Sequence, residues 1–163
     1  MCSSDLYRVT VFEEDKEIGG KLRQVIPYER LSKDCLDAEL ERIKESGINF
    51  SVNTKITKEL FENIKNEYNA VIVTCGAHNP VVIPFEGHEK LTKGLDFLKN
   101  VKNGIKQNIG EKIVVIGAGN AAMDVIIEAY NCGAKKVTAI DIQKPAAFTE
   151  RTFFASGFFE FKS

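Results

Sequence analysis

VVIGAGNAAMDVIIEA, Val114 to Ala129, is the stretch on which the reading of the chain turns. Three hydrophobic residues run into a glycine-rich elbow, and the elbow runs into an alternation of small and apolar residues that predicts a helix. The elbow has the pattern Gly117-x-Gly119-x-x-Ala122. Gly117 permits a tight turn out of a strand. Gly119 lets the backbone approach a pyrophosphate with no side chain in the way. Ala122, small like the usual third glycine, lets helix and strand pack closely. A pyrophosphate at the start of that helix would meet free N–H groups and the positive end of the helix dipole. Gly117, Gly119, Asn120, Ala121 and Ala122 are therefore candidate cofactor-binding residues.

The flanking sequence supplies the context that a lone glycine elbow lacks. Lys112–Ile116 reads as a strand, Asn120–Asn131 as a helix, Gly133 as its cap and Lys136–Ile140 as a second strand. This is a βαβ half-unit, the building block of parallel sheets. Asp141 ends the second strand, 24 residues beyond Gly117, where a ribose-binding carboxylate is expected. Such a carboxylate accepts hydrogen bonds from a ribose 2′-hydroxyl and repels a 2′-phosphate, which favours NAD(H) over NADP(H). Lys144 is near enough to weaken that preference. The expectation is a dinucleotide site. The same pattern also serves a strand-to-helix turn that holds no ligand, or a site for another cofactor such as S-adenosylmethionine.

Towards the N-terminus the alternation of strands and helices continues, which predicts an α/β fold. Tyr7–Phe12 is rich in β-branched and aromatic residues and reads as a strand; the acidic, then glycine-rich EEDKEIGG reads as a loop. Leu31–Ser46 reads as a helix because Leu36, Leu40 and Ile43 recur at helical spacing and Gly47 follows as a cap. Ile48–Val52 is a short strand and Lys58–Lys65 a short helix. Ala70–Thr74, AVIVT, is a continuous apolar run of the kind found in strands buried on both faces. His78 to Gly87, with Pro80 and Pro84, reads as a loop, and Asp96–Ile105 as an amphipathic helix. The final TERTFFASGFFEFKS holds five phenylalanines with no clear period and fits neither unit.

Bulk properties narrow the function classes. The chain has 163 residues, a net charge of −1 and 44% hydrophobic content. That balance points to no nucleic-acid partner and no membrane surface. No apolar run approaches the roughly 18 residues of a spanning helix, and MCSSDLYRV lacks the features of a signal peptide. Cysteines at 2, 35, 75 and 132 form no CxxC pair, which fits reduced thiols and a cytoplasmic location. With only His78 and His88, a histidine-rich metal site is not expected, and no metal ligand is assigned.

Four segments, in order, resemble the FAD- and NAD(P)-binding region of the glutamate synthase small (beta) subunit, a region shared with dihydropyrimidine dehydrogenase and related flavin-dependent reductases. They are RVTVFEEDKEIGGKLRQVIPYERL, AVIVTCGA, VVIPFEG and KIVVIGAGNAAMDVIIEAYNCGAKKVTAID, together covering roughly residues 8 to 148. The resemblance implies two Rossmann-like parallel sheets: a partial FAD-binding domain in residues 1–109 and the start of an NAD(P)-binding domain in 110–148, with 149–163 an atypical tail. It places Glu13 at the FAD ribose and Gly19, Gly20 and Leu22 along the loop that runs past the flavin. Thr74, Cys75, Gly76 and Ala77 stand where relatives carry an ATGA turn against FAD, with Cys75 replacing a threonine. Asn120 and Asp124 match the pyridine-nucleotide loop. DIQKPAAF stands where many relatives carry arginines, so the resemblance leaves NADP(H) open.

The implied activity is hydride transfer from NAD(P)H to FAD and electron transfer onward to an iron-sulfur or amidotransferase partner subunit. The flavin carries that chemistry, so no side chain is named as catalytic. The family's FAD domain opens with its own strand, glycine elbow and helix, whereas this sequence goes straight into the second strand. The expectation is a fragment of a longer oxidoreductase, poorly stable alone and weak in FAD binding; a natural truncation or a subunit completed by another chain also fits. A non-catalytic dinucleotide-binding or assembly module is the competing function. Bland readings remain for several residues: Gly19 and Gly20 as a surface loop, Cys75 as a small hydrophobe, Glu13 as a solvated acid and Asp124 as a helix-surface residue.

Overall fold

A computed structural model describes residues 7–77, 79, 82 and 84–141, together with the strands Phe154–Ala155 and Phe158–Phe161. His78, Pro80 and Lys144 lie outside the described residues. The fold is α/β, and it divides into two compact units: one from Met1–Gln24 and Tyr28–Asn79, the other from Val25–Pro27 and Pro80–Ser163.

In the first unit β1 (Thr10–Phe12) pairs in parallel with β2 (Asn49–Ser51), Val11 opposite Phe50. The crossover between them carries α1 (Gly20–Gln24) and α2 (Lys33–Glu45). Ser32 caps α2, its hydroxyl oxygen accepting from the Cys35 amide at 3.2 Å. The helix ends where Gly47, at φ +83°, takes the left-handed turn expected of it and donates to the Lys44 carbonyl. Leu36 is the buried residue of the predicted stripe, Leu40 is half-buried and Ile43 faces outward. α3 (Lys58–Glu67) begins at Thr57, whose side chain accepts from the Leu60 amide, and buries Ile64.

Two expectations for this unit are corrected. GGKLR, expected as loop, winds into α1: Gly20 starts a single helical turn that Lys21, Leu22, Arg23 and Gln24 continue as good helix formers. Ala70–Thr74, expected as a strand buried on both faces, is neither paired nor buried. Ile72 is 85% exposed and Val73 68%. A continuous apolar run acquires double burial only when strands flank it and layers cover both faces. Among the described residues nothing pairs with this run.

In the second unit β3 (Lys112–Ile116), α5 (Asn120–Asn131) and β4 (Lys136–Ile140) form the expected βαβ element. The strands run parallel in register from Lys112 opposite Lys136 to Ile116 opposite Ile140. Gly133, at φ +103°, follows α5 as foreseen. α4 (Gly94–Lys102) starts two residues before the expected Asp96 and stops at Asn103, where Gly104 turns at φ +71° and leaves Ile105 outside the helix. α4 lies on α5 so closely that a Cβ on Gly94 would stand 3.1 Å from Cγ2 of Val125. Phe97, Leu98, Val115, Ile126, Ala129, Val137 and Ala139 form the core, and Val25 joins them from the short segment Val25–Pro27. The opposite face of β3 leaves Val114 and Ile116 exposed.

The described part of the tail is strand. β6 (Phe158–Phe161) runs antiparallel to β4, with Ile140 opposite Phe158, and β5 (Phe154–Ala155) pairs with β6. The sheet order is therefore β3-β4-β6-β5. Among the described residues no helix is long and apolar enough to cross a membrane.

Candidate functional site

The turn from β3 into α5 brings the predicted nucleotide residues together. Gly117 sits at φ +109°, a conformation that L side chains rarely adopt, and its N–H donates to the Ile140 carbonyl at 2.7 Å. The next amide, Ala118, donates to Oδ2 of Asp141 at 2.5 Å. Gly119 is the N-cap of α5, and the first helical bond runs from the Met123 amide to its carbonyl. The amides of Asn120, Ala121 and Ala122 precede that bond and have no partner among the described residues. No side chain caps this helix, and its first turn holds no acid. An uncapped N-terminus with adjacent unpartnered donors is suited to an anion.

Gly119 adds a second indication. Its torsions, φ −76° and ψ 178°, are open to any residue. Among the described residues, its two chain neighbours aside, no atom lies within 4 Å of where its Cβ would stand. Neither backbone strain nor internal packing therefore demands glycine there. What the missing side chain keeps clear is the space in front of the helix, where a pyrophosphate would sit. Ala122 packs against the core, as a small third residue should.

Asp124, on the second turn of α5, is 5% exposed rather than on the surface. Glu128, one turn further and not singled out from sequence, is buried as well and accepts from Asn131 Nδ2 at 3.3 Å. The i, i+4 spacing of the two acids could have flagged a shared face. Burial, with the nearby Glu128 charge second, pushes the Cys132 thiol up.

In the first unit two of the predicted segments meet. Nζ of Lys21 in α1 donates to the Ala77 carbonyl, tying GGKLR to TCGA. Thr74, Cys75, Gly76 and Ala77 are all exposed, with Gly76 at φ +76°. Gly19, at φ +120°, has a packing reason to be glycine, since a Cβ there would stand 3.2 Å from Leu40 Cδ1. Leu22 is largely exposed. Glu13 follows β1, and its Oε1 accepts from the Asp15 amide at 3.0 Å, which closes the turn after the strand.

Arg23 was missed from sequence and organises this region. Its Nε donates to the Ile18 carbonyl at 2.9 Å and its Nη2 to Asp37 Oδ1 at 2.6 Å, which ties α1 to α2. Lys33 reaches the other oxygen of Asp37 at 2.7 Å. The hydrogen bonds from Lys33 and then Arg23 hold the Asp37 carboxyl below the usual carboxylate range. The only sequence signal was a basic residue three positions after paired glycines.

Comparison with known proteins follows the same lines. Residues 56–152 match the family described as pyridine nucleotide-disulphide oxidoreductase. The NAD-dependent dihydropyrimidine dehydrogenase subunit PreT of Escherichia coli O157:H7 is 35% identical over 136 residues, which cover 82% of this chain and 33% of that protein. The NADP(+)-dependent formate dehydrogenase subunit beta of Moorella thermoacetica is 33% identical, over 82% of this chain and 20% of its own length. Glutamate synthase [NADH] of Saccharomyces cerevisiae is 28% identical, over 83% of this chain and 7% of its own length. The chain thus spans a third or less of these relatives.

Proposed function

The chain belongs to the pyridine nucleotide-disulphide oxidoreductase family, and from that premise we propose that it is the nucleotide-handling part of an NAD(P)H-dependent flavin oxidoreductase. The observation that carries the reading is the open, uncapped start of α5: three amides without a partner among the described residues, behind a glycine whose missing side chain would meet none of those residues beyond its chain neighbours. Gly117, Gly119, Asn120, Ala121 and Ala122 would hold the pyrophosphate, and Asp141 would face the adenosine ribose. A carboxylate there repels a 2′-phosphate, which favours NADH.

The flavin side of the proposal rests on the family resemblance. Glu13 would take the FAD ribose, Gly19, Gly20 and Leu22 would run along the flavin, and Thr74, Cys75, Gly76 and Ala77 would form its turn. In ligand terms residues 1–109 are then a partial FAD-binding domain and 110–148 the start of an NAD(P)-binding domain, both Rossmann-like. When bound, the two cofactors supply hydride and electron transfer. The chain's own residues bind and orient them, and none is assigned as acid or base. Two of the relatives are named as subunits, which supports a partner that receives electrons, an iron-sulfur or amidotransferase subunit.

A second reading, a dinucleotide-binding or assembly module without flavin, draws support from the exposure of Thr74–Ala77. Flavin absorbance of the chain coexpressed with its partner separates the two. The nucleotide reading is tested by calorimetric titration with NADH and NADPH. Saturable binding, tighter for NADH, is the expected result. Heats no larger than dilution for both nucleotides would overturn it.

A further inference from the structure

Two consecutive amides of the glycine loop are tethered to the end of β4. Gly117 donates to the Ile140 carbonyl at 2.7 Å, the bond that closes the Ile116–Ile140 pair of the parallel ladder. In a regular parallel ladder only alternate amides face a given neighbour, so no β4 carbonyl is due to the Ala118 amide. Instead Oδ2 of Asp141 takes the Ala118 amide at 2.5 Å, within the range of charge-assisted bonds. The bond is partly buried and spans 23 residues of sequence. It falls between the left-handed turn at Gly117 and the extended Gly119 that caps α5. The direction in which the unpartnered amides of α5 point is therefore fixed on one side by a side chain from the neighbouring strand.

We infer that Asp141 is a positioning residue for the glycine loop, holding the pyrophosphate donors in place through Ala118, beyond any contact its carboxylate makes with a ribose. The structural half of this inference stands without a ligand; its effect on affinity rests on the nucleotide reading above. A carboxylate held by a backbone amide is also costly to swing aside. Asp141 therefore opposes a 2′-phosphate by position as well as by charge.

The roles of anchor and charge are separable by two substitutions in the full chain. Asp141→Asn keeps an oxygen that accepts from Ala118 while removing the charge. Asp141→Ala removes both. Amide hydrogen exchange at Ala118, followed by NMR without nucleotide, reads the anchor directly, with far-UV circular dichroism checking that each variant is folded. Exchange at Ala118 is expected to rise about tenfold in Asp141→Ala, the scale of one lost hydrogen bond, and to stay near wild type in Asp141→Asn. NADH affinity should fall in both variants, because both lose the carboxylate that faces the ribose, and about tenfold further in Asp141→Ala than in Asp141→Asn. Unchanged exchange at Ala118 in Asp141→Ala would overturn the anchor. Equal loss of NADH affinity in both variants would overturn the positioning role and leave only charge at the ribose. If exchange responds as expected while wild type binds no nucleotide, the anchor stands and the nucleotide reading fails.

Discussion

Replacing Ile72 and Ile64 by alanine, one at a time, puts the architecture of the first unit to a direct test. The two residues are of one type, lie in one unit and lose the same atoms. They differ in surroundings: Ile64 is 6% exposed in α3, whereas Ile72 is 85% exposed in the unpaired run Ala70–Thr74. Full burial of an isoleucine side chain contributes roughly 1.5–3 kcal/mol in transfer free energy. Ile72, with only a small part of its surface covered, should lose a few tenths of a kcal/mol on truncation. Ile64→Ala removes buried atoms and leaves a cavity, which costs about 2–5 kcal/mol. Urea unfolding followed by far-UV circular dichroism reads both values and suits a chain without tryptophan. The slope against urea should stay constant, so that midpoint shifts report stability alone. A loss of 2 kcal/mol or more in Ile72→Ala, the scale of a buried site, would refute the reasoning. It would mean that something covers the run in solution.

Three further outcomes follow from other sites. Gly119→Val should leave the melting temperature near wild type, because its torsions suit valine and no atom of the described residues beyond its chain neighbours crowds the site, yet it should abolish NADH binding in the same titration. Gly117→Val should instead cost about 1–3 kcal/mol in thermal unfolding, since φ +109° is strained for any side chain. Asp37 titrates below the ordinary carboxylate range because Lys33 and Arg23 hydrogen-bond its charged form. A folded-state pKa that is depressed contributes stability above the unfolded value and loses it as pH falls through the folded one. Asp37→Asn should therefore flatten the acid limb of the stability curve, and carboxyl 13C shifts of the wild type should place the Asp37 midpoint below those of exposed acids.

Much of the second unit could be read from sequence because its signals are local and agree with one another. A short apolar strand, a glycine elbow, a helix with Gly133 behind it and a second strand each predict themselves, and the ends of β3 and β4 fall at the expected residues. The caps at Ser32 and Thr57 and the turn at Gly47 belong to the same class of short-range chemistry. What escaped depends on residues far apart in sequence. Periodicity describes how apolar Ala70–Thr74 is, not whether neighbours are present to pair with it. The hub at Arg23 joins Ile18 to Asp37, a link that no spacing rule encodes. Asp141 was identified as an acid at a strand end, but its bond to Ala118 became visible only once β3 and β4 were in register. In the tail, phenylalanine content gave no period, and the antiparallel pairing of β6 with β4 joins residues about twenty positions apart, which no local pattern encodes.

The placement of Val25–Pro27 bears on how the gene can be cut. Those residues group with the second unit although the chain on either side of them belongs to the first. Val25 is buried in the second unit's core, and the Ile26 carbonyl accepts from Nζ of Lys102 in α4. A recombinant piece beginning at residue 80 would carry the whole βαβ element but none of this early segment. It would expose core surface that Val25 covers, a deficit of roughly 1.5–3 kcal/mol by the area of one valine. Against the 5–15 kcal/mol typical of a domain, that loss is large. An excised second unit should therefore be supplied with residues 25–27, by circular permutation, before any nucleotide binding it shows is compared with that of the full chain.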